Sequence, residues 1–349
     1  MTLAPFLSKL ERHQSLTSAE ARAVIERLLS GEIGDGEIIK LLGALRDKGE
    51  TAEEVAGFAE VMRERAAGLL EKAGVRLNGL RPAELLDTCG TGGDGFETLN
   101  LSTATALLAA ASGARVAKHG NRSISSRSGS ADVLEALGVS LELPLERILE
   151  CLEKTGMVFL FAPHLHLAMR HVMNARRALK TKTIFNLLGP LTNPLGAGIQ
   201  LTGVYDRSRV ELMAKALASV GTRRAFVVHA LEGFDEISTS GPTLITETAD
   251  QTFSTREVAP EDFGLRRAPP GAVRGGDAAT NARLIRAVLD GHPGHHRDAV
   301  LANTSAALVL AGKAADFREG VEVAAEALDS GRARQTLAAL VEFTQKHRP

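Results

Sequence analysis

The 349-residue chain has no tryptophan, one tyrosine and two cysteines. Cys89 and Cys151 are too few for a disulfide framework or a cysteine-based zinc site. Aromatic residues make up only 4% of the chain, so its core must be built from Leu, Val, Ile and Ala. That scarcity argues against a stacking platform for single-stranded nucleic acid. Neither sign of charge dominates: 41 Lys and Arg face 42 Asp and Glu, for a net charge of −1. A general nucleic-acid binder carries a clear basic excess, and this chain has none. No apolar run approaches the ~18 residues of a membrane span, and the opening MTLAPFLSKLERHQ lacks the charged, then apolar, then small-residue order of a signal peptide. What remains is a soluble, cytoplasmic protein with small-molecule partners, no membrane and no nucleic acid. At 44% hydrophobic residues the chain can bury a sizeable core, and its length suits roughly two domains.

Acid is also missing locally. From Thr98 to Ala131 there is no Asp or Glu, while Arg115, Lys118, Arg122 and Arg127 are present. From Lys154 to Tyr205 acid is absent again, alongside Arg170, Arg176, Arg177, Lys180, Lys182, His164, His166 and His171. If the two stretches converge, they form a positive cleft for an anionic ligand. Burial alone would explain the apolar run Met157–Phe161, but not Arg170–Lys182.

The texture of the chain changes near residue 75. Before it, Thr17-x-x-Glu20 and Thr51-x-x-Glu54 are capping boxes that open helices, and Gly31 and Gly49 fit helix ends. Ile38, Leu41, Leu42 and Leu45 recur at helical spacing and make one sticky face, which needs either the rest of the chain or a second subunit. After it, strands are expected at Glu84–Asp87, Ala114–Ala117, Met157–Phe161, Leu201–Tyr205 and Arg224–His229. Helices are expected at Thr103–Ala111, Ala131–Leu137, Leu145–Lys154, Arg209–Val220 and Ala278–Leu289. A hairpin over Thr243–Val258 should turn near Ala249-Asp250. Leu165–Lys182 reads as helical and able to fold back on the N-terminal helices. The expected fold class is α/β: a small all-helical domain, residues 1–75 completed by about 165–190, and a larger domain, residues 76–349, with a mostly parallel central sheet flanked by helices.

The first strand runs into Asp87-Thr-Cys-Gly-Thr-Gly-Gly-Asp-Gly95, whose four glycines in six residues let backbone N–H groups approach a phosphate closely. The Gly90-x-Gly92-x-x-Gly95 spacing matches the dinucleotide fingerprint only literally, because the next strand ends in Lys118-His119 rather than an acid. A Walker loop also fails, since Phe96 follows Gly95. Thr98, Asn100, Ser102 and Thr103 lead into a helix that aims its N-terminus at the same place, with Ser102 or Thr103 expected as N-cap. The second strand then ends in Lys118-His-Gly-Asn-Arg-Ser-Ile-Ser-Ser-Arg-Ser-Gly-Ser130, which concentrates phosphate donors at the sheet's C-terminal edge.

These segments together resemble the anthranilate phosphoribosyltransferase family. The resemblance rests on Gly90–Gly95, Asn100–Thr103, Lys118–Ser130, FAPHLH at Phe161–His166, Ala168–Arg177, TIFNLLGPLTNP at Thr183–Pro194 and FDEIS at Phe234–Ser238, in order over nearly the whole chain. It implies transfer of a phosphoribosyl group from 5-phosphoribosyl 1-diphosphate to the amine of anthranilate. By that resemblance Gly90, Gly93, Asp94, Thr98, Asn100, Leu101, Ser102 and Thr103 would hold the donor, with Lys118, His119, Gly120, Asn121, Arg122, Ser123, Ile124, Ser125, Ser126 and Ser130. Gly90, Asn121, His166 and Arg176 would hold or admit anthranilate, and Ser102, Asp235 and Glu236 would sit on Mg2+. The family also implies a homodimer through the N-terminal helices.

The chemistry agrees. Arg176 offers a carboxylate a bidentate partner, adjacent Asp235 and Glu236 offer hard oxygen ligands, and an aromatic amine needs no strong base, so no acid–base residue is assigned. Alone, the Asp235-Glu236 pair reads more readily as a solvated turn, Cys89 as filler, His119 as a backbone orienter, and Arg170 and Arg177 equally as surface charges or ligands. Two departures from the family pattern stand out, Leu99 where Phe is commoner and Asn174 where Pro is frequent. A pyrimidine nucleoside phosphorylase would share the fold but not the Lys118–Arg122 pattern. A nucleic-acid-binding relative would break that pattern and carry a basic surface.

Overall fold

The computed structural model describes residues 2–77, 79–123 and 127–349. Four helices come first: α1 (Ala4–Glu11), α2 (Ser18–Leu28), α3 (Asp35–Lys48) and α4 (Ala52–Lys72). Both capping boxes form. The Thr17 and Thr51 hydroxyls accept the N–H groups of Glu20 and Glu54, whose carboxylates accept the threonine N–H groups in return. Glu54 is fully buried and also accepts from the Leu16 N–H at 2.8 Å and the Lys48 ammonium at 2.9 Å. One carboxylate thus ties the start of α4 to the α1–α2 link and to the end of α3. On α3, Ile38, Leu41, Leu42 and Leu45 are all fully buried inside this one chain. The partner of the sticky face is therefore the rest of the chain.

The remaining chain builds β1 (Leu85–Asp87), α5 (Leu101–Ala111), β2 (Arg115–Gly120), α6 (Ser130–Ala136), α7 (Ile148–Thr155), β3 (Met157–Phe161), α8 (Ala162–Leu165), α9 (Met173–Leu179), β4 (Ile199–Gly203), α10 (Val210–Ser219) and β5 (Arg224–Ala230). The hairpin β6 (Thr243–Ala249) and β7 (Thr252–Val258) follows, then α11 (Ala278–Leu289), α12 (His295–Leu310), α13 (Phe317–Asp329) and α14 (Arg332–Lys346). The strands form one seven-stranded sheet in the order β3-β2-β1-β4-β5-β6-β7. The first five are parallel, β6 pairs antiparallel with β5, and β7 pairs antiparallel with β6. Strand order reverses between β1 and β4, which opens a crevice at the C-terminal ends of those strands.

Each face of the sheet is buried against helices. Phe226 and Val228 of β5 join the core made with α5 and α11–α14, while Ala225 and Val227 join the core shared by α1–α4, α9 and α10. That alternation is the two-residue period of a strand covered on both sides.

Several expectations shift. The second strand, expected over Ala114–Ala117, runs Arg115–Gly120, and the helix expected over Leu145–Lys154 begins as a 3-10 turn before α7. The hairpin turns at Asp250 and Gln251, both left-handed at φ 47° and 64°, one residue later than expected. The strand expected to begin at Leu201 begins at Ile199 and stops at Gly203. The single helix expected over Leu165–Lys182 is broken into α8, a 3-10 stretch over Leu167–Val172, and α9, because His166 leaves helical geometry at φ −120° and ψ 54°.

Candidate active site at the sheet's switch point

The glycine loop leaves β1 into the crevice between β1 and β4 and lines a cleft of about 350 Å3. Gly90, Gly93, Asp94, Thr98, Asn100, Ser102, Lys118, His119, Gly120, Asn121, Arg122, Ser123, Ser130, Arg176, Asp235 and Glu236 all face this cleft. Ile124, Ser125 and Ser126 lie outside the described residues. The loop is held from below, as the Thr91 N–H donates to the Gly203 carbonyl at 2.9 Å and the Thr91 hydroxyl accepts the Tyr205 N–H at 3.0 Å. Gly203 has to be glycine, because a Cβ there would fall 1.5 Å from the Asp235 carbonyl oxygen.

The α5 N-terminus points into the same space. Its N-cap is Asn100, not Ser102 or Thr103 as expected. The Asn100 side chain is held in place, donating to the Ser128 carbonyl at 3.0 Å and accepting from Asn281 at 2.7 Å. The helix therefore starts earlier, and Leu101 and Thr103 are turned away into the core, fully or nearly fully buried. Of the hydroxyls expected there, Thr98 and Ser102 remain on the cleft.

Behind β2, a buried network fixes the floor. Asp87 accepts the His119 N–H at 3.1 Å and the Asn193 amide at 2.8 Å, while the same amide reaches the Ala117 carbonyl at 2.8 Å. Burial lifts the Asp87 carboxyl to about 6, against the pull of Lys118 and these donors. Lys118 is only 1% exposed and donates to the Thr88 carbonyl at 2.9 Å, so its charge sits beneath the loop. His119 bonds the Gly189 carbonyl at 3.0 Å, and burial holds its ring down to about 3. Further along, Arg122 pairs with Asp132 at 3.0 Å and Glu135 at 2.8 Å, and the Ser130 hydroxyl reaches the Asn121 carbonyl.

Opposite stand the acids. The Gly92 N–H donates to Asp235 at 2.8 Å, the Ser102 N–H donates to Glu236 at 3.1 Å, and the Asp235 N–H reaches Asp94. Burial first, then neighbouring Asp94, raises Asp235; burial and then Asp235 raise Glu236 to about 8. Half-buried carboxylates crowded together in this way are short of positive charge, and an incoming cation would supply it. Among the described residues, no three His, Cys, Asp or Glu form a full cage. The donor set suits Mg2+, which commonly takes one or two carboxylates and fills its remaining positions from phosphate and water.

Arg176 enters from α9. It has no acidic partner among the described residues; its guanidinium lies over the Phe185 ring at 5.1 Å, and burial lowers its pKa. His166 does not line the cleft. It sits behind His119 at 5.2 Å between ring centroids, bonds the Thr192 carbonyl at 3.1 Å, and opens on a second cavity of about 360 Å3 beside α2 and α4. Burial holds its ring down to about 4. Arg170 and Arg177 are exposed. Asn281 was not anticipated, because it meets the site only through the fold; Phe185 and Asn193 stand inside the Thr183–Pro194 segment, but their contacts with Arg176 and Asp87 are made only by the fold. Thr91 was within reach, since it stands inside the glycine motif.

The chain matches the glycosyl transferase family a/b domain over residues 82–334 and the glycosyl transferase family helical bundle domain over residues 4–66. It is 50% identical over 343 residues to the anthranilate phosphoribosyltransferase of Myxococcus xanthus, covering 98% of this chain and 99% of that one. It is 47% identical over 342 residues to that of Symbiobacterium thermophilum, covering 98% of each. Among solved structures, the anthranilate phosphoribosyltransferase of Thermus thermophilus superposes with a TM-score of 0.88 at 43% identity, over 97% of this chain and 99% of that one. The Saccharomyces cerevisiae protein, in complex with PRPP and Mg, superposes with a TM-score of 0.87 at 27% identity, over 99% and 98%.

Proposed function

The chain belongs to the anthranilate phosphoribosyltransferases and transfers the phosphoribosyl group of 5-phospho-α-D-ribose 1-diphosphate to anthranilate; we propose how its own residues divide that work. The observation that carries the assignment is the one cleft on which the glycine loop, the basic end of β2, an arginine with no acidic partner among the described residues and a half-buried acid pair converge.

The glycine-loop N–H groups and the α5 N-terminus receive the diphosphate. Asn121, Ser123 and Ser130, with Lys118 beneath, receive the ribose 5-phosphate. Arg176 takes the anthranilate carboxylate in a two-pronged, charge-assisted contact, with Asn121 and the backbone at Gly90 beside it. Asp235 and Glu236, with Ser102, would hold Mg2+, as the bound metal of the yeast relative suggests. When bound, the ion offsets charge on the departing diphosphate. No side chain has to act as a general base, since the aromatic amine is already unprotonated near neutral pH. The chain contributes position and charge: it aligns amine and anomeric carbon and surrounds an oxocarbenium-like transition state with fixed dipoles.

The reading extends to a helical domain of residues 1–75 completed by about 165–190. In support, α9 and residues 184–191 share a buried core with α1–α4. It also includes a cytoplasmic location and a homodimer. The Ile38–Leu45 face cannot serve as that dimer's interface, since it is already buried within the chain; sedimentation velocity should give a dimer formed through other surfaces of α1–α4. Among the described residues, no helix is long and apolar enough to cross a membrane.

The activity is tested by anthranilate fluorescence against time with the donor and Mg2+. Loss of fluorescence that depends on enzyme and metal, and that falls at least about tenfold in Asn121→Ala, is expected. A folded protein that binds the donor and leaves anthranilate untouched overturns the assignment.

A further inference from the structure

One cation near the cleft has no part in the reading above. Lys182 follows α9 on the strap that leads back to the sheet, and its ammonium stands 3.4 Å from the ring centroid of Tyr205, the only tyrosine in the chain. Tyr205 is itself fixed to the glycine loop, because its N–H donates to the Thr91 hydroxyl at 3.0 Å. The loop in turn runs alongside the lysine. Gly93 is left-handed at φ 75°, and a Cβ added there would lie 3.6 Å from Cε and 4.0 Å from Nζ of Lys182.

The ammonium thus stands beside Gly93, a residue of the loop that lines the cleft. Its partner is a ring face, which holds a cation in place while leaving its N–H donors free for a second ligand. Burial lowers the Lys182 pKa, and the charges of Asp206, Asp94 and Asp235 pull against that through space. A lysine preplaced on a ring beside a glycine loop, with its donors uncommitted, has the chemistry of an anion clamp.

We propose that Lys182 binds the diphosphate of the donor and holds it as it leaves, with Tyr205 as its platform. The assignment rests on the phosphoribosyl-transfer reading given above. In that reaction the C1–O bond breaks and its electron pair goes to diphosphate. The amine lone pair forms the C1–N bond, and the surplus proton on nitrogen passes to solvent. The negative charge that Lys182 meets is therefore larger on the product diphosphate than in the intact donor. A contact that strengthens along that path favours bond breaking as well as binding.

Titration calorimetry with magnesium diphosphate and, separately, ribose 5-phosphate tests this. Lys182→Met should weaken diphosphate about tenfold or more and leave ribose 5-phosphate within about twofold. Lys182→Arg, which keeps a ring-stacking cation, should recover most of the affinity, and Tyr205→Leu should weaken diphosphate about threefold where Tyr205→Phe does not. Diphosphate binding unchanged in Lys182→Met, or both ligands weakened equally, overturns the assignment of Lys182 alone. A folded wild type that fails to bind magnesium diphosphate overturns the underlying functional reading together with it.

Discussion

The two stretches without acidic residues keep their cations in different ways. Over residues 98–131, Arg122 is met by Asp132 and Glu135, Arg127 by Glu97 at 2.8 Å, and Lys118 by the Thr88 carbonyl. Over residues 154–205, Arg176 and Lys182 stand on the rings of Phe185 and Tyr205. A ring attracts a cation through its quadrupole and leaves the charge uncancelled; a carboxylate cancels it. The first stretch therefore uses most of its charge to shape its own loop, and the second keeps charge for a ligand. Local absence of acid in the sequence does not distinguish the two, because the neutralising carboxylates Glu97, Asp132 and Glu135 stand just outside the ends of the first stretch.

That contrast breaks most readily at its largest expected difference. Arg176→Ala should lower kcat/KM for anthranilate about 100-fold or more, whereas Arg122→Ala, already paired and exposed, should cost less than about tenfold. Steady-state rates at saturating donor decide it, and equal losses would end the distinction between ring-held and acid-held arginines.

A smaller effect concerns the acids that face both stretches. Between the ordinary carboxylate range and their raised values, folded Asp235 and Glu236 keep protons that the unfolded chain has released, so stability falls as pH rises through that window. Mg2+ with donor favours the ionised carboxylates and works against this. The thermal shift on adding both should grow from about pH 6 to about pH 8. Asp235→Asn should melt higher than the wild type without ligand at the upper pH, yet lose most of the increment. A shift that is flat with pH would mean that the acids do not meet the cation.

The smallest effect isolates the platform itself. Phe185→Leu keeps an apolar side chain under Arg176 but removes the ring, and should raise KM for anthranilate about threefold with kcat little changed. An unaltered KM would show that burial alone positions the guanidinium.

Much of the fold was legible in the chain. The strand at Met157–Phe161 is found to the residue, because Gly156 ends α7 in a left-handed turn and an unbroken apolar run follows. Both capping boxes are local and both form. Less legible was α12, where Ala299–Leu310 are all buried and no polar face marks a helical period. The Asp316 cap with Glu319 does announce α13 locally, although no element was assigned past Leu289. In the site, the glycine and Lys118–Ser130 motifs are contiguous and could be read. The N-cap at Asn100 could not, since its side chain is fixed by Ser128 and by Asn281, 181 residues away. The platforms under Arg176 and Lys182 and the Asp87–Asn193 clasp share this property: they are pairings made only by the fold. The placement of His166 behind His119 follows from the break that ends α8, which helical periodicity passes over.

Gly203 has a consequence for how such a sequence can drift. It ends β4, touches no ligand space of its own, and lies against the Asp235 carbonyl. Even alanine there would push on the backbone that aims the acid pair, so in a saturation scan the position should score with the active site rather than with the strand it belongs to. A library designed by distance from substrate would leave it free to vary, and would lose clones for a reason that neither burial nor proximity to the ligand predicts.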